Sequence, residues 1–553
     1  MRHLIASLWL CLFSCTTLAQ TNQAAIATAH PLATKAGFEI LQQGGNAFDA
    51  AVAVTAALAV VEPAGSGLGG GGFWLLHRAE DDYQVMIDGR EMAPGKAHRD
   101  MYLNNDGQFE PDWSLNGPLA AGIPGVPAGL VHLSQKYGVL PLETSLQPAV
   151  QYAEQGFAVT EGYQHLAGFR RDTLRQYPEA ARIFLDKGEV PAIGIKIRQP
   201  DLATTLKAIA RHGKAGFYQG KTAERLVNAV QQHGGIWTQA DLNNYEIIER
   251  TPVSGDYLGN QITSAALPSS GGILLMLALN QLAAFDLQQA DLTQRRHWVV
   301  EAMRRAYFDR SRYLGDADFI DIPAHLTSPA YGRELSRSID DDRASSSDAL
   351  PLNEAAGENT THFSVIDQHG NRVAATLSIN YPFGSGFVAE GTGVLLNDEM
   401  DDFSAKEGTA NVYGLVGNEA NAIEPYKRPL SSMSPTFIEN DQRLMIIGTP
   451  GGSRIISMVL LGLLDFVDGD SAEEIVAAPR YHHQYLPDVI QLEKDGFSEA
   501  EIKALQQRGH AIKQMTRRYG DMQTVIVNKL SGRIEAASDP RGEGLAEVRS
   551  IRP

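Results

Sequence analysis

The chain reads as a mixed α/β protein, and three patterns predict it. Helix-like runs fill residues 31 to 62 and alternate with loops from 115 to 330. Strand-like runs dominate from residue 360 to Ser453. A helical pattern through Ile455, Ile456, Val459, Leu460 and Leu463 then follows. At 553 residues the chain can bury a large core, as one big domain or two to three ordinary ones.

The segment MRHLIASLWLCLFSCTTLAQ has a basic start at Arg2 and His3, an apolar stretch from Leu4 to Phe13 and a small-residue exit at Ala19. Residues 1–19 are therefore expected to be a secretory signal peptide, which places the mature protein beyond the inner membrane, in the periplasm. The apolar stretch is about half of the roughly 20 residues a span needs, so no stable membrane span is expected. A lipid-modified Cys15 is the alternative. Both cysteines, Cys11 and Cys15, lie in this leader, so cleavage after Ala19 leaves no thiol. That excludes disulfides, thiol catalysis and cysteine metal sites. The formal net charge of −18, from 47 basic and 65 acidic residues, argues against nucleic acid as a partner.

Pro31 suits a first helical turn, Gly44 and Gly45 end that helix, and Asn46 caps a second run before Pro63. The stretch Ala50 to Val61 is apolar on every side and predicts a buried core helix. A glycine run from Gly65 to Gly72 leads into strand patterns at Phe73–Leu76 and Val85–Ile87. The Gly65-x-Gly67-x-x-Gly70 spacing matches a dinucleotide fingerprint. Such a site needs strand, glycines, then helix, and the order here is reversed. Close backbone packing is the expected use of these glycines.

From Ser336 to Asn359 the chain has almost no apolar residues, and it is expected to be an exposed tether. Thr360 opens the strand-like string Thr360-Thr361-His362-Phe363-Ser364-Val365-Ile366-Asp367 directly behind it. A hydroxyl in that position points to a nucleophile made by scission between Asn359 and Thr360, which would place a free α-amine beside the hydroxyl. Such a residue serves an amidohydrolase or acyltransferase. Asp367 and Asn371 flank Gln368-His369-Gly370, a three-residue hairpin loop with glycine last. That register sets Thr360 opposite Ser378, whose hydroxyl can orient that of Thr360, and turns Asn380 toward the space before Thr360. A plain threonine–serine pair on a solvated sheet face fits the same pattern.

Gly451 and Gly452 follow a strand-like run and precede the helix near Ser453, so their N–H groups can hold an oxyanion or merely make a strand-to-helix turn. Arg90 offers a cation for a carboxylate, and Glu399, Asp401 and Asp402 offer anions for an ammonium. Each alone reads equally as a solvated loop charge. Ser431 and Ser432 add hydroxyls, or simply turn chemistry. His482 and His483 point apart on a strand, and no metal-ligand spacing is present.

The strings TTHFSVID, NDEMDDFSAK, KRPLSSMSPT, GTPGGSRI, GLGGGGFWLL and DGREMAP together resemble the γ-glutamyltranspeptidase family of N-terminal-nucleophile hydrolases. The resemblance covers nearly the whole mature chain. It implies a four-layer αββα sandwich in which a large subunit, 20–359, and a small subunit, 360–553, form one structural unit after self-cleavage, as a heterodimer of the chain's own products. By the same resemblance Thr360 is the nucleophile. Arg90 holds the substrate's α-carboxylate, with Ser431 and Ser432 assisting. Asn380, Glu399 and Asp402 bind its α-amine, Gly451 and Gly452 form the oxyanion hole, and Tyr413 sits on the loop that lids the pocket. No cofactor is implied, and the partner is a small γ-glutamyl compound, glutathione foremost.

Two departures stand out. Ser378 replaces the family's usual threonine, and Ser378-Ile379 resembles the related cephalosporin acylases. A β-lactam acylase, a nicotinamide-dependent oxidoreductase and a non-catalytic periplasmic binding protein are the competing readings.

Overall fold

The computed structural model describes residues 22–347, 360–406 and 408–551. The leader with its two cysteines and the cut at Asn359 lie outside the described residues. Helix α1 (Pro31–Gln42) has proline in its first turn, and the His30 ring accepts from the Leu32 N–H. It ends at Gly44, whose φ of +90° suits only glycine. Helix α2 (Ala47–Val61) carries a reciprocal cap: Asn46 accepts from the Asp49 N–H, while the Asp49 carboxylate accepts from the Asn46 N–H. Every residue of α2 is buried, as its all-round apolar sequence requires. Three further helices matter below: α3 (Gly271–Leu282), α4 (Leu292–Tyr313) and α5 (Ile455–Asp468).

The sheets are built from β1 (Gln23–Thr28), β2 (Gly71–Arg78), β3 (Tyr83–Gly89), β4 (Ile248–Arg250), β5 (Val253–Tyr257), β6 (Asn260–Ser264), β7 (Thr361–Ile366), β8 (Arg372–Ser378), β9 (Thr436–Glu439), β10 (Arg443–Gly448), β11 (Gln523–Asn528), β12 (Ile534–Ser538) and β13 (Leu545–Ser550). One sheet has seven strands in the order β13-β1-β7-β8-β2-β3-β4. The other has six, in the order β12-β11-β10-β9-β6-β5. Every pairing within both is antiparallel.

Strand alternation divides the first sheet between two cores. Trp74, Leu76, Phe363, Val365 and Leu377 pack on one side with α1 and α2. Phe73, Leu75, Met86 and Ala374 pack on the other side with Phe437, Ile446 and Val525 of the second sheet. The second core also takes in α3, α4 and α5. Even-numbered residues of β7 face this inter-sheet side: His362 bonds Thr376 (2.8 Å) and Ser364 donates to Gln523 O (3.1 Å).

The glycine run is packed backbone to backbone. A Cβ on Gly69 would lie 2.0 Å from Leu395 O, and one on Gly70 would lie 2.1 Å from Ser378 O. A helix precedes the run and strand β2 grows out of it, the order that excludes a dinucleotide cradle.

Two features differ from the sequence expectation. The stretch read as helices and loops also contains β4, β5 and β6, which are only three to five residues long and are interrupted by Pro252, Gly255 and Gly259, so the strand pattern is hidden. Residues 337–347, part of the expected exposed tether, are mostly exposed but are held on α4. Trp298 donates to Asp341 (2.8 Å), Ser345 N–H to Glu301 (3.1 Å), and Arg304 to Ser347 (2.5 Å). Hydrogen bonds to charged groups anchor this segment where apolar burial is lacking.

Candidate active site

Thr360 lies one residue before β7 and is buried, 6 % exposed. The hairpin turns at Gly370, φ +87°, with Asp367 N–H donating to Asn371 O (3.0 Å) and Gly370 N–H to Asp367 O (3.1 Å). Its ladder pairs Thr361 with Leu377, so Thr360 falls opposite Ser378. Their hydroxyl oxygens are 3.4 Å apart. Ser378 Oγ accepts the Asn380 N–H (2.9 Å), which fixes the serine hydroxyl beside that of Thr360, where either can donate to the other.

Thr360 borders a small cavity of about 20 Å³ whose lining includes Ser378, Asn380, Glu399, Asp402, Tyr413, Ser431, Ser432 and Gly452. The structure thus gathers most of the residues singled out in the sequence around one hydroxyl. Asn380 sits at φ +70°, donates to Asp398 O (3.0 Å) and accepts Tyr413 Oη on its carbonyl (2.8 Å). Burial keeps the Tyr413 phenol protonated, so it donates at any working pH. The Tyr413 ring lies against Gly452, where a Cβ would meet ring carbon Cδ1 at 2.4 Å.

Gly451 and Gly452 follow β10 and lead through a 3₁₀ turn, Gly452–Arg454, into α5. The backbone bond of that turn runs from Arg454 N–H to Gly451 O, 3.1 Å, so the N–H groups of both glycines precede it. Gly452 faces the cavity. Gly451 lines a separate cleft that Thr360 also borders.

Arg90 does not line the cavity. It is buried directly behind, donating to Glu399 and Asp402 and, through Nε, to Pro429 O (3.1 Å). Three of its five N–H donors are thereby engaged, and one remains on each terminal nitrogen. Burial works against the Arg90 charge, and Glu399 with Asp402 more than restore it. Burial raises the Glu399 carboxyl to about 7, with Arg90 opposing, and Glu399 Oε2 has no hydrogen-bond partner. Asp401 turns away, accepting from Ser114 Oγ (2.6 Å) and Val412 N–H (3.0 Å), so it pins the loop that carries Tyr413. Ser431 and Ser432 are held from behind: Ser431 O accepts the Ser270 N–H (2.8 Å), and Ser432 Oγ accepts from Arg310 (3.4 Å).

Sequence reasoning did not reach Arg310, Asp398 or Glu62. Arg310 is a buried cation on α4 behind Ser432. Asp398 is a buried carboxyl that receives the Tyr381 N–H (3.0 Å), and Glu62 stands at the foot of α2 in the outer cleft. The only sequence signal was position: Asp398 adjoins Glu399, and Glu62 ends an apolar helix.

Residues 33–548 match the family model described as gamma-glutamyltranspeptidase. Among curated proteins, the glutathione hydrolase proenzyme of Escherichia coli (strain K12) is 43% identical over 534 residues, covering 94% of this chain and 91% of that protein. The glutathione hydrolase proenzyme of Bacillus subtilis (strain 168) is 34% identical, covering 94% and 90%. Among solved structures, cephalosporin acylase from Bacillus halodurans superposes with a TM-score of 0.84 at 26% identity, covering 95% of this chain and 96% of that one. Helicobacter pylori gamma-glutamyltranspeptidase gives 0.56 at 40% identity, over 57% of this chain and 92% of that one. The six motifs read in the sequence therefore mark true kinship, and the chain belongs to the γ-glutamyltranspeptidase family.

Proposed function

We propose that the chain is a proenzyme that cuts itself between Asn359 and Thr360 and then transfers γ-glutamyl groups, with glutathione as the leading donor. The observation that carries this is Thr360 at the head of β7, 3.4 Å from Ser378, on the wall of a cavity shared with Asn380, Glu399, Asp402 and Gly452. Its two sheets, each backed by helices, fit the four-layer αββα sandwich of N-terminal-nucleophile hydrolases. The products, 20–359 and 360–553, stay together as one heterodimer, because β7 and β8 lie between β1 and β2 in a single sheet. Export to the periplasm follows from the leader over residues 1–19. Among the described residues no helix is long and apolar enough to cross a membrane.

In the first stage Thr360 Oγ1 attacks the carbonyl of Asn359, and water resolves the resulting ester, freeing the α-amine. In the second, the hydroxyl attacks the γ-amide carbonyl while that amine takes its proton and returns it to the leaving amine. The N–H groups of Gly451 and Gly452 stabilise the tetrahedral oxyanion, for which one donor is worth roughly 3 kcal/mol. Water or an amine then resolves the γ-glutamyl ester.

The donor's α-carboxylate goes to the two spare N–H groups of Arg90, with Ser431 and Ser432 assisting, and its α-ammonium to Glu399, Asp402 and Asn380. The cavity of about 20 Å³ is far smaller than a glutamyl group, so entry requires the Tyr413 loop to swing. No cofactor is called for by this chemistry.

Thr360→Ala is the test. The variant should run as one chain on a denaturing gel and release nothing from γ-glutamyl p-nitroanilide. Normal cutting or turnover would remove Thr360 from the mechanism. The cephalosporin acylase likeness makes glutaryl amides the control, and the wild-type enzyme should prefer the γ-glutamyl donor.

A further inference from the structure

Helix α4 carries a second buried arginine behind the donor cavity. Arg310 donates through Nε to Ser270 Oγ (3.0 Å) and through Nη2 to Ser432 Oγ (3.4 Å). Both acceptors are neutral hydroxyls, and among the described residues Arg310 makes no ion pair. We propose that the counter-ion of Arg310 is the α-carboxylate of the bound donor, met through Ser432, so that Arg310 is the positioning residue that makes the cavity demand that carboxylate. This rests on the γ-glutamyl function proposed above.

A guanidinium stays charged at any working pH, so burying one without a counter-ion is a standing cost. A well-packed apolar side chain would serve the fold as well or better. An anion arriving in the adjoining cavity removes the imbalance. Arg90, the other cation behind that cavity, is already neutralised: Glu399 and Asp402 are in direct contact with it, and Glu91 stands 3.7 Å away. Three carboxyls thus surround one guanidinium, and that corner alone would repel a fourth. Arg310 supplies the positive charge that is missing. Burial pulls its pKa down, against Tyr307 and Asp402, and Arg90 adds to the fall, so the two arginines and Asp402 act on one another.

The path from Arg310 to the cavity is one hydroxyl long. A guanidinium only donates, so Ser432 Oγ accepts from Arg310 and keeps its own proton for an acceptor on the cavity side. Accepting from a cation makes that hydroxyl a stronger donor. Ser270 Oγ also accepts from Arg310 and donates to Ser431 O (2.7 Å), so one side chain braces both serines of the pocket. A γ-glutamyl donor brings one anion here, its α-carboxylate, because its γ-carboxyl is bound up as the amide.

The experiment measures competitive inhibition of purified, self-cleaved enzyme at neutral pH by L-glutamate and by its α-amide, which differ only in the group that Arg310 is proposed to sense. Arg310→Gln keeps a side chain that can bond Ser270 and Ser432 and removes the charge. Its Ki for L-glutamate should rise about tenfold, the lower end of what a hydrogen bond to a charged group contributes, while its Ki for the α-amide moves by less than about twofold. KM for γ-glutamyl p-nitroanilide should rise in step with the Ki for L-glutamate, with kcat little changed. Arg310→Lys keeps the charge and should hold the preference for L-glutamate over its α-amide to within about threefold of wild type. An unchanged Ki for L-glutamate in Arg310→Gln overturns the proposal, and so does an equal rise for both ligands, which is what a merely structural role would give. Should Arg310→Gln fail to fold or to cut itself, Arg310→Lys decides, and a lost preference there, with the charge in place, overturns the proposal. A wild-type enzyme that turns over no γ-glutamyl donor would instead sink the proposed function itself.

Discussion

Ser378 and Thr360 meet hydroxyl to hydroxyl at 3.4 Å across the β7–β8 hairpin, and Ser378 is itself locked by the Asn380 N–H at 2.9 Å. The serine hydroxyl is therefore held against the nucleophile. Ser378→Ala should slow both self-cleavage and turnover about tenfold, since one neutral hydrogen bond is worth ~1–1.5 kcal/mol. Ser378→Thr should keep wild-type rates. Timed gels and initial rates on γ-glutamyl p-nitroanilide measure the two steps, and full-speed cutting by Ser378→Ala would show that the contact is only structural.

Arg90 cannot be removed cleanly. It neutralises Glu399 and Asp402, so Arg90→Ala would leave buried carboxylates without their cation, at a cost of about 3–5 kcal/mol. That variant should show a lowered Tm as well as weak binding. Arg90→Lys keeps the charge but loses the planar fork. It should cut itself normally and raise KM for the γ-glutamyl donor at least about tenfold, with kcat little changed. An unchanged KM in Arg90→Lys would take Arg90 out of donor binding.

Glu399 supplies a pH signature. Burial raises its carboxyl to about 7, so it is protonated at lower pH and ionised above. A substrate ammonium is attracted only to the ionised form. L-glutamate, used as an unreactive competitive inhibitor, keeps the same charges across this range. Its Ki should therefore fall as pH rises through about 7, by roughly an order of magnitude. Glu399→Gln should flatten that dependence. A Ki independent of pH in the wild type would mean that Glu399 does not meet the ammonium.

The hairpin was legible because its turn is local chemistry. Asp367 accepts the N–H groups of His369 (2.9 Å) and Asn371 (3.0 Å), and Gly370 takes the positive φ, so loop length alone set the register that faces Thr360 with Ser378. The cap at Asn46 was readable for the same reason. What stayed hidden depends on distant chain. Glu399 captures Arg90 from 309 positions away, which is why a residue expected on the cavity wall sits behind it. Glu62 looked like the polar end of a core helix, and only packing brings it beside Thr360. Strands β5 and β6 are short and rich in turn-forming residues, so sheet pairing decides them against local preference.

Gly452 tests the lid and the oxyanion hole together. It sits at φ +56°, where an added side chain costs about 1–2 kcal/mol, and its Cβ would strike the Tyr413 ring at 2.4 Å. Gly452→Ala should lower kcat about 100-fold, the scale of losing one oxyanion donor, because the turn that aims the N–H must shift. Tyr413→Ala alone should raise KM and leave more of kcat, since it removes the cover and the bond to Asn380 O but leaves the turn in place. In the double variant the collision is gone while the backbone strain remains. Its loss in kcat should therefore be clearly smaller than the two single effects combined, a coupling that kinetics on all four proteins can measure. Simple additivity would show that Tyr413 does not bear on Gly452 in the working enzyme, and would place the lid elsewhere.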